Sequence, residues 1–125
     1  MIKLMVVYRS MVPDHSGRPE CGAGAGQLGA RPIDIKAKDG TVHPVTGGMS
    51  VNESILKIPK HLKGEKHGGE AGDLPMFEFA LTHLTEGLTY RVTKGTHGQL
   101  EPAMSMLLAN YQALLCGTKP NWKEV

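Results

Sequence analysis

The chain has 125 residues and a formal net charge of +2, which fits one domain and excludes both a strongly basic nucleic-acid tail and an acidic solvating tail. Its 16 glycines and 8 prolines are too many for a helix bundle, and aromatic residues at 5% are too few for a platform that stacks single-stranded nucleic acid. A loop-rich, strand-rich domain fits these values better.

Ile2 to Arg9 reads as the first strand. Ile2, Leu4, Val6 and Tyr8 alternate with Lys3, Met5, Val7 and Arg9, so both faces have apolar material to bury. This apolar run is too short to span a bilayer and lacks the flanks of a signal peptide, so the expectation is a protein without a membrane segment. Residues 14–31 follow as a long loop. Its Ser-Gly-Arg-Pro and Gly-Ala-Gly stretches offer no apolar face, and the expectation is mobility. Ile33 to Ile35 reads as a short extended piece, and Lys38-Asp39-Gly40-Thr41 as a turn.

Val42 to Val45 and then Thr46-Gly47-Gly48-Met49-Ser50-Val51 come next. The paired glycines permit a close backbone approach just before a short strand. Asn52 to Lys57 reads as one helical turn. Residues 60–73 form a second polar loop, where Lys57, Lys60, Lys63 and Lys66 with interleaved Glu and His read as a solvated face. Met76 to Leu81 is a strand with Phe77, Phe79 and Leu81 on one side. Glu86-Gly87 turns into a strand from Leu88 to Val92, and Thr96 to Glu101 is another.

Met104 to Cys116 is the one strong helix. Met104, Leu107, Leu108, Tyr111, Leu114 and Leu115 fall on one stripe, with Ser105 as a cap and Gly117 as the residue just past the end. The Met104 and Met106 side chains read as core packing. The predicted class is α+β, with short, mostly antiparallel strands in two small sheets and a C-terminal helix.

Several chemical signals dissolve on inspection. Gly24, Gly26 and Gly29 match G-x-G-x-x-G, but no strand precedes them and Pro32 stops any following helix, so a loop is the better reading. The histidines at 15, 43, 61, 67, 83 and 97 show no helical metal-ligand spacing, and neither cysteine has a C-x-x-C partner, so no metal is expected. Ser10, Ser16, Ser50, Ser54 and Ser105 lack a nucleophile elbow. Cys21 and Cys116 stand far apart, and with no secretory signal they read as free thiols of a cytosolic protein.

Three pieces remain: Arg9 at a strand end, the glycine-led strand from Gly47 to Val51, and His97 with Glu101, which share a strand face by the period of two. Together they point to a dinucleotide cleft of a kind other than Rossmann. A guanidinium grips a pyrophosphate with two hydrogen bonds. A bare backbone approaches an amide, and a late carboxylate stabilises an oxocarbenium-like state or holds a ribose hydroxyl. Each residue also has a plainer role open to it. Arg9 can cap a strand or pair with Glu20 or Asp14. Gly47-Gly48 can be a turn only, and Ser50 can bond within its sheet. His97 can be an interior histidine, and Glu101 a rim carboxylate.

Tyr8-Arg9, Thr46-Gly47-Gly48-Met49-Ser50-Val51, and Thr96-His97 followed by Pro102-Ala103 and Met106 resemble, in that order, a family of antibacterial toxins. This is the second effector exported by the type VI secretion system of pseudomonads. The likeness extends to the C-terminal helix and Trp122, and covers the first strand and most of the chain after residue 32. The resemblance implies an ADP-ribosyltransferase-like fold and dependence on NAD. It implies action in the cytoplasm of a target bacterium after delivery without a cleaved signal peptide, and silencing by a cognate immunity protein that covers the cleft.

On this reading Tyr8, Arg9, Thr46, Gly47, Gly48, Met49, Ser50 and Val51 bind the cofactor, and Glu101, Ser50 and His97 carry the catalysis. Loops 14–31 and 60–73 become candidate partner contacts. Two departures from the family pattern are Met49, where a relative has a threonine, and Glu101, where that relative has no acid. They leave open a degenerate binding module of the same fold. A toxin directed at RNA or the ribosome is a further alternative, since the chain is mildly basic. The acceptor can be protein, RNA or water.

Overall fold

A computed structural model describes residues 5–125. Eight strands are present among them: β1 (Val6–Ser10), β2 (Thr41–Val42), β3 (Met49–Asn52), β4 (Met76–Ala80), β5 (Leu88–Lys94), β6 (His97–Pro102), β7 (Met106–Leu107) and β8 (Trp122–Glu124). Six of them form one antiparallel sheet in the order β5-β6-β3-β1-β4-β8, and β2 pairs with β7 in a separate ribbon. One α-helix, α1 (Leu108–Gly117), precedes the last strand. The fold is therefore α+β with mostly antiparallel strands in two sheets and a C-terminal helix, as the patterning predicts.

The register shows how alternation sorts the side chains. Met49 faces Leu100 and Val51 faces Gly98 across β3 and β6. Val7 faces Phe79 across β1 and β4, and Phe79 faces Trp122 across β4 and β8. These apolar residues are buried, together with Tyr111 and Leu115 of the helix and Leu28, Ile35 and Val42 of the long connection. Burial of large side chains such as Phe77, Phe79 and Trp122 is worth about 1.5–3 kcal/mol each. Phe79 and Trp122 stack with ring centroids 4.9 Å apart, and the indole N–H donates to the Thr118 hydroxyl at 2.9 Å.

The first strand runs from Val6 to Ser10, so the expected Ile2 start lies outside the described residues. Residues 33 and 34 belong to a helical turn, Pro32–Asp34, which Ile35 caps, and not to an extended piece. The helix begins at Leu108, not Met104, because Met106 and Leu107 pair with Val42 and Thr41. Backbone bonds to a neighbouring strand take precedence there over the helical stripe. Met104 is consequently 54% exposed and outside the core. Ser105 does not cap the helix; its hydroxyl meets His43 Nδ1 at 2.7 Å. Gly117 is the last helical residue, and Thr118, with φ −80°, occupies the cap.

Three corrections concern the long connections. Cys21 and Cys116 are not free thiols: they are joined in a disulfide, with their Cα atoms 5.5 Å apart. Residues 14–31 are not devoid of apolar anchors either, since Leu28 and Ala30 are buried. Asp14 holds the start of this segment, accepting from Ser16 and Arg18 N–H groups and pairing with Lys119 at 2.8 Å. Gln112 of the helix brackets both main-chain groups of Ala30. In residues 60–73 the lysine run is not wholly solvated. Lys63 is buried, and its ammonium donates to the Ile55 carbonyl at 3.0 Å. No helix among the described residues is long and apolar enough to cross a membrane.

Candidate functional site

β1 and β3 share a single paired position, Tyr8 with Asn52. Beyond it the two strands part, and a cleft of about 450 Å³ opens there. Its floor comes from β1, β3 and β6 through Tyr8, Ser50, Asn52 and His97. Their common face follows from register. Tyr8 lies opposite Asn52, Asn52 lies opposite His97, and Ser50 is two residues from Asn52 on the same strand. This is the face away from Val7, Met49 and Leu100. Ile58, Pro59, His61, Leu62 and Leu74, together with Val12, Ala25 and Gly26, complete its lining. The cleft thus sits on the large sheet, not between the two sheets, since neither β2 nor β7 contributes to it.

Arg9 closes the gap between the parted strands. Of the five N–H donors of a guanidinium, one on Nη1 goes to the Ser50 carbonyl at 2.9 Å and one on Nη2 to the Gln27 carbonyl at 3.0 Å. The Nε–H is buried and has no partner among the described residues. Burial lowers the Arg9 pKa to about 10, against a smaller opposing pull from Asp34, so the group stays charged at neutral pH. Neither Glu20 nor Asp14 pairs with it. Burial, helped by the facing Glu78 carboxylate, pushes the Tyr8 hydroxyl above its ordinary value. His97 Nδ1 meets the Thr93 hydroxyl at 2.6 Å, which orients the ring at the cleft's edge.

The other residues singled out from the sequence sit elsewhere. The Thr46 hydroxyl shares its proton between the Ile35 and His43 carbonyls, at 2.9 and 2.8 Å. Gly47 has φ +125°, and a Cβ there would lie 2.1 Å from the Asp34 carbonyl oxygen. A Cβ on Gly48 would lie 2.5 Å from the Leu100 oxygen. The glycine pair therefore lets β3 press against β6 and against residues 34–35. Met49 is buried in the core, and its N–H donates to the Tyr111 hydroxyl at 3.0 Å. Glu101 is 1% exposed and accepts from Arg91 Nε and Nη2, the latter at 2.7 Å. Thr46, Gly47, Gly48, Met49 and Glu101 do not line the cleft, whereas Tyr8, Arg9, Ser50, Val51 and His97 do.

Asn52, Ile58, His61, Leu62 and Leu74 were not foreseen. Asn52 was within reach, because two steps along a strand from Ser50 must return to the same face. Ile58 and Leu62 carry a weaker signal, two isolated apolar residues in a polar stretch. Among the described residues, no group of three or more His, Cys, Asp or Glu is placed to hold a metal ion. Comparison with family models, with curated proteins and with solved structures finds no match to this chain.

Proposed function

We propose that this chain is a NAD-binding toxin of ADP-ribosyltransferase-like type, acting in the bacterial cytoplasm and silenced by an immunity protein that covers the cleft. One observation carries the reading. Tyr8, Arg9, Ser50, Val51 and His97 come from three stretches spread over most of the chain, and they converge on a single cleft. A buried guanidinium with an N–H unpartnered among the described residues fits an anionic ligand, because a phosphate would supply an acceptor. The dinucleotide, when bound, supplies a glycosidic bond to a good leaving group and so a transferable ADP-ribosyl unit.

The chain's own groups have distinct tasks in this reading. Arg9 offers negative charge its Nε–H, unpartnered among the described residues. The exposed Ser50 side chain on β3 offers a hydroxyl from the cleft floor. His97, held by Thr93, presents its other ring nitrogen. Ile58, Leu62 and Leu74 give part of the lining an apolar surface.

A second reading, a binding module of the same fold without turnover, is favoured by Glu101. Its carboxylate is taken up by Arg91 and does not face the cleft. Inducible cytoplasmic expression in bacteria separates the two. Growth arrest by the wild type, abolished in Arg9→Ala and Ser50→Ala, supports the toxin. Arrest unchanged in both variants moves the active surface elsewhere, and no arrest at all favours the binding module.

A further inference from the structure

The disulfide ties the start of a segment that lines the cleft to the helix. Cys21 begins the glycine-rich segment 21–29, and Cys116 is in the last turn of α1. The same segment supplies Ala25 and Gly26 to the cleft wall and the Gln27 carbonyl to Arg9 Nη2. Most of its other hydrogen bonds stay within residues 20–28: Leu28 N–H to the Glu20 carbonyl at 2.7 Å, Gly22 N–H to the Leu28 carbonyl and Gln27 N–H to the Gly24 carbonyl at 3.2 Å, and the Gln27 side chain to Glu20 and to Gly24 N–H. Outward it accepts from Val12 N–H at the Gly26 carbonyl, 2.8 Å. Leu28 and Ala30 are buried, and Gln112 brackets Ala30, so the C-terminal end of the segment is anchored while the Cys21 end depends on the bridge. The bridge is reachable, because Cys21 and Cys116 both line a surface hollow of about 310 Å³ with Gly22, Ala23, Leu28, Gln112 and Ala113.

We infer that the Cys21–Cys116 disulfide is a redox latch on the cleft: closed, it holds the Gln27 carbonyl on Arg9, and reduction by a small thiol releases segment 21–29 and frees the guanidinium for its anionic ligand. A thiolate attacks one sulfur through the hollow and forms a mixed disulfide, and the other cysteine leaves as a thiolate. A second thiol molecule resolves the mixed disulfide. The net change is two protein thiols for one disulfide of the reductant, so atoms and electrons balance. Of the two carbonyls on Arg9, the one on Ser50 belongs to β3 and stays, while the one on Gln27 belongs to the tethered segment and can retract. The choice of ligand rests on the NAD reading above; the release of the segment does not.

The test compares the oxidised full chain with the same chain in excess reduced glutathione. Backbone hydrogen exchange is read peptide by peptide, free thiols by alkylation and mass, and NAD binding by calorimetry. The expected result is alkylation of both cysteines and at least tenfold faster exchange in 21–29, with β4 unchanged. NAD affinity is expected to rise several-fold. The Cys21→Ser, Cys116→Ser double variant should show the fast exchange without reductant and no response to it. Unchanged exchange in 21–29 after both cysteines are alkylated overturns the latch. Exchange rising throughout the sheet also overturns it, because the bridge then holds the whole fold. Weaker NAD binding on reduction overturns the direction assigned here. Fast exchange in 21–29 with no NAD binding in either state keeps the latch and removes the NAD reading. Should the double variant fail to fold, reduced wild type carries the comparison alone.

Discussion

Arg9 donates from Nη1 to the main-chain carbonyl of Ser50 at 2.9 Å, across the point where β1 and β3 have stopped pairing. A side chain thus does the work of a missing ladder bond and leaves a gap wide enough for a ligand. A second carbonyl, from Gln27, takes the other arm of the fork. Arg9→Lys keeps the charge but cannot serve both carbonyls with one planar fork. The expected loss is one charge-assisted hydrogen bond, about 1.5–3 kcal/mol, read as a lower urea midpoint at unchanged slope. An unchanged midpoint would mean that water serves the abandoned carbonyl equally well.

The Tyr111 hydroxyl joins helix and sheet. It accepts from Met49 N–H and donates to the Leu100 carbonyl at 2.5 Å, all within the core. Burial raises its pKa well above the ordinary tyrosine value. Tyr111→Phe keeps the ring and strands two buried main-chain groups. Stability should fall by about 1–3 kcal/mol, with the near-ultraviolet signature of Trp122 retained. A loss below a few tenths would show that the strands close up without the hydroxyl.

Gly48 and Gly117 should respond in opposite directions to the same change. Gly48→Ala drives a Cβ to 2.5 Å from the Leu100 oxygen, which is backbone and cannot step aside. Expression of this variant should fall, or its melting temperature should drop by many degrees. Gly117 has open space around its Cβ position and ordinary helical backbone. Gly117→Ala should add up to about 1 kcal/mol. Thermal unfolding of the two variants side by side is the check.

Acid sensitivity should trace in part to Asp14. The Lys119 ammonium, then the Ser16 hydroxyl, hold its carboxyl well below the usual carboxylate range. A folded-state pKa below the unfolded value means stability that is present above about pH 4 and lost as pH falls further. Asp14→Asn should therefore lower stability at pH 7 and flatten the decline below pH 4. Parallel slopes for wild type and variant in an acid titration followed by circular dichroism would refute this.

Arg91 and Glu101 form a pair in which one partner is buried and the other reaches solvent. Arg91→Met leaves a buried carboxylate alone, whereas Arg91→Met with Glu101→Gln removes the charge as well. The double variant should be the more stable of the two. If Arg91→Met alone proves the more stable, the carboxylate has another source of support.

Alternation and turn chemistry were legible along the chain. Val6 to Ser10, Met76 to Ala80 and the strands near 88–94 and 97–102 fall close to where apolar periodicity puts them. Periodicity is local, and it survives folding wherever the neighbouring strand has the same period. It misled at residues 104–107, where a helical stripe gave way to pairing with residues 41–42. For the same reason the cleft was only half legible. Ser50, Val51, Tyr8, Arg9 and His97 were visible as residue types, but Gly47, Gly48 and Met49 look like a binding loop in sequence and are packing in space. By itself the sequence determined the class of the fold, the strand-forming segments and the chemistry on offer. The tertiary structure alone decided that Cys21 meets Cys116, that Glu101 meets Arg91 and not the cleft, and that the glycine-rich segment is a wall. These are contacts between residues from ten to ninety-five positions apart. They depend on which elements share the core, which no local pattern encodes.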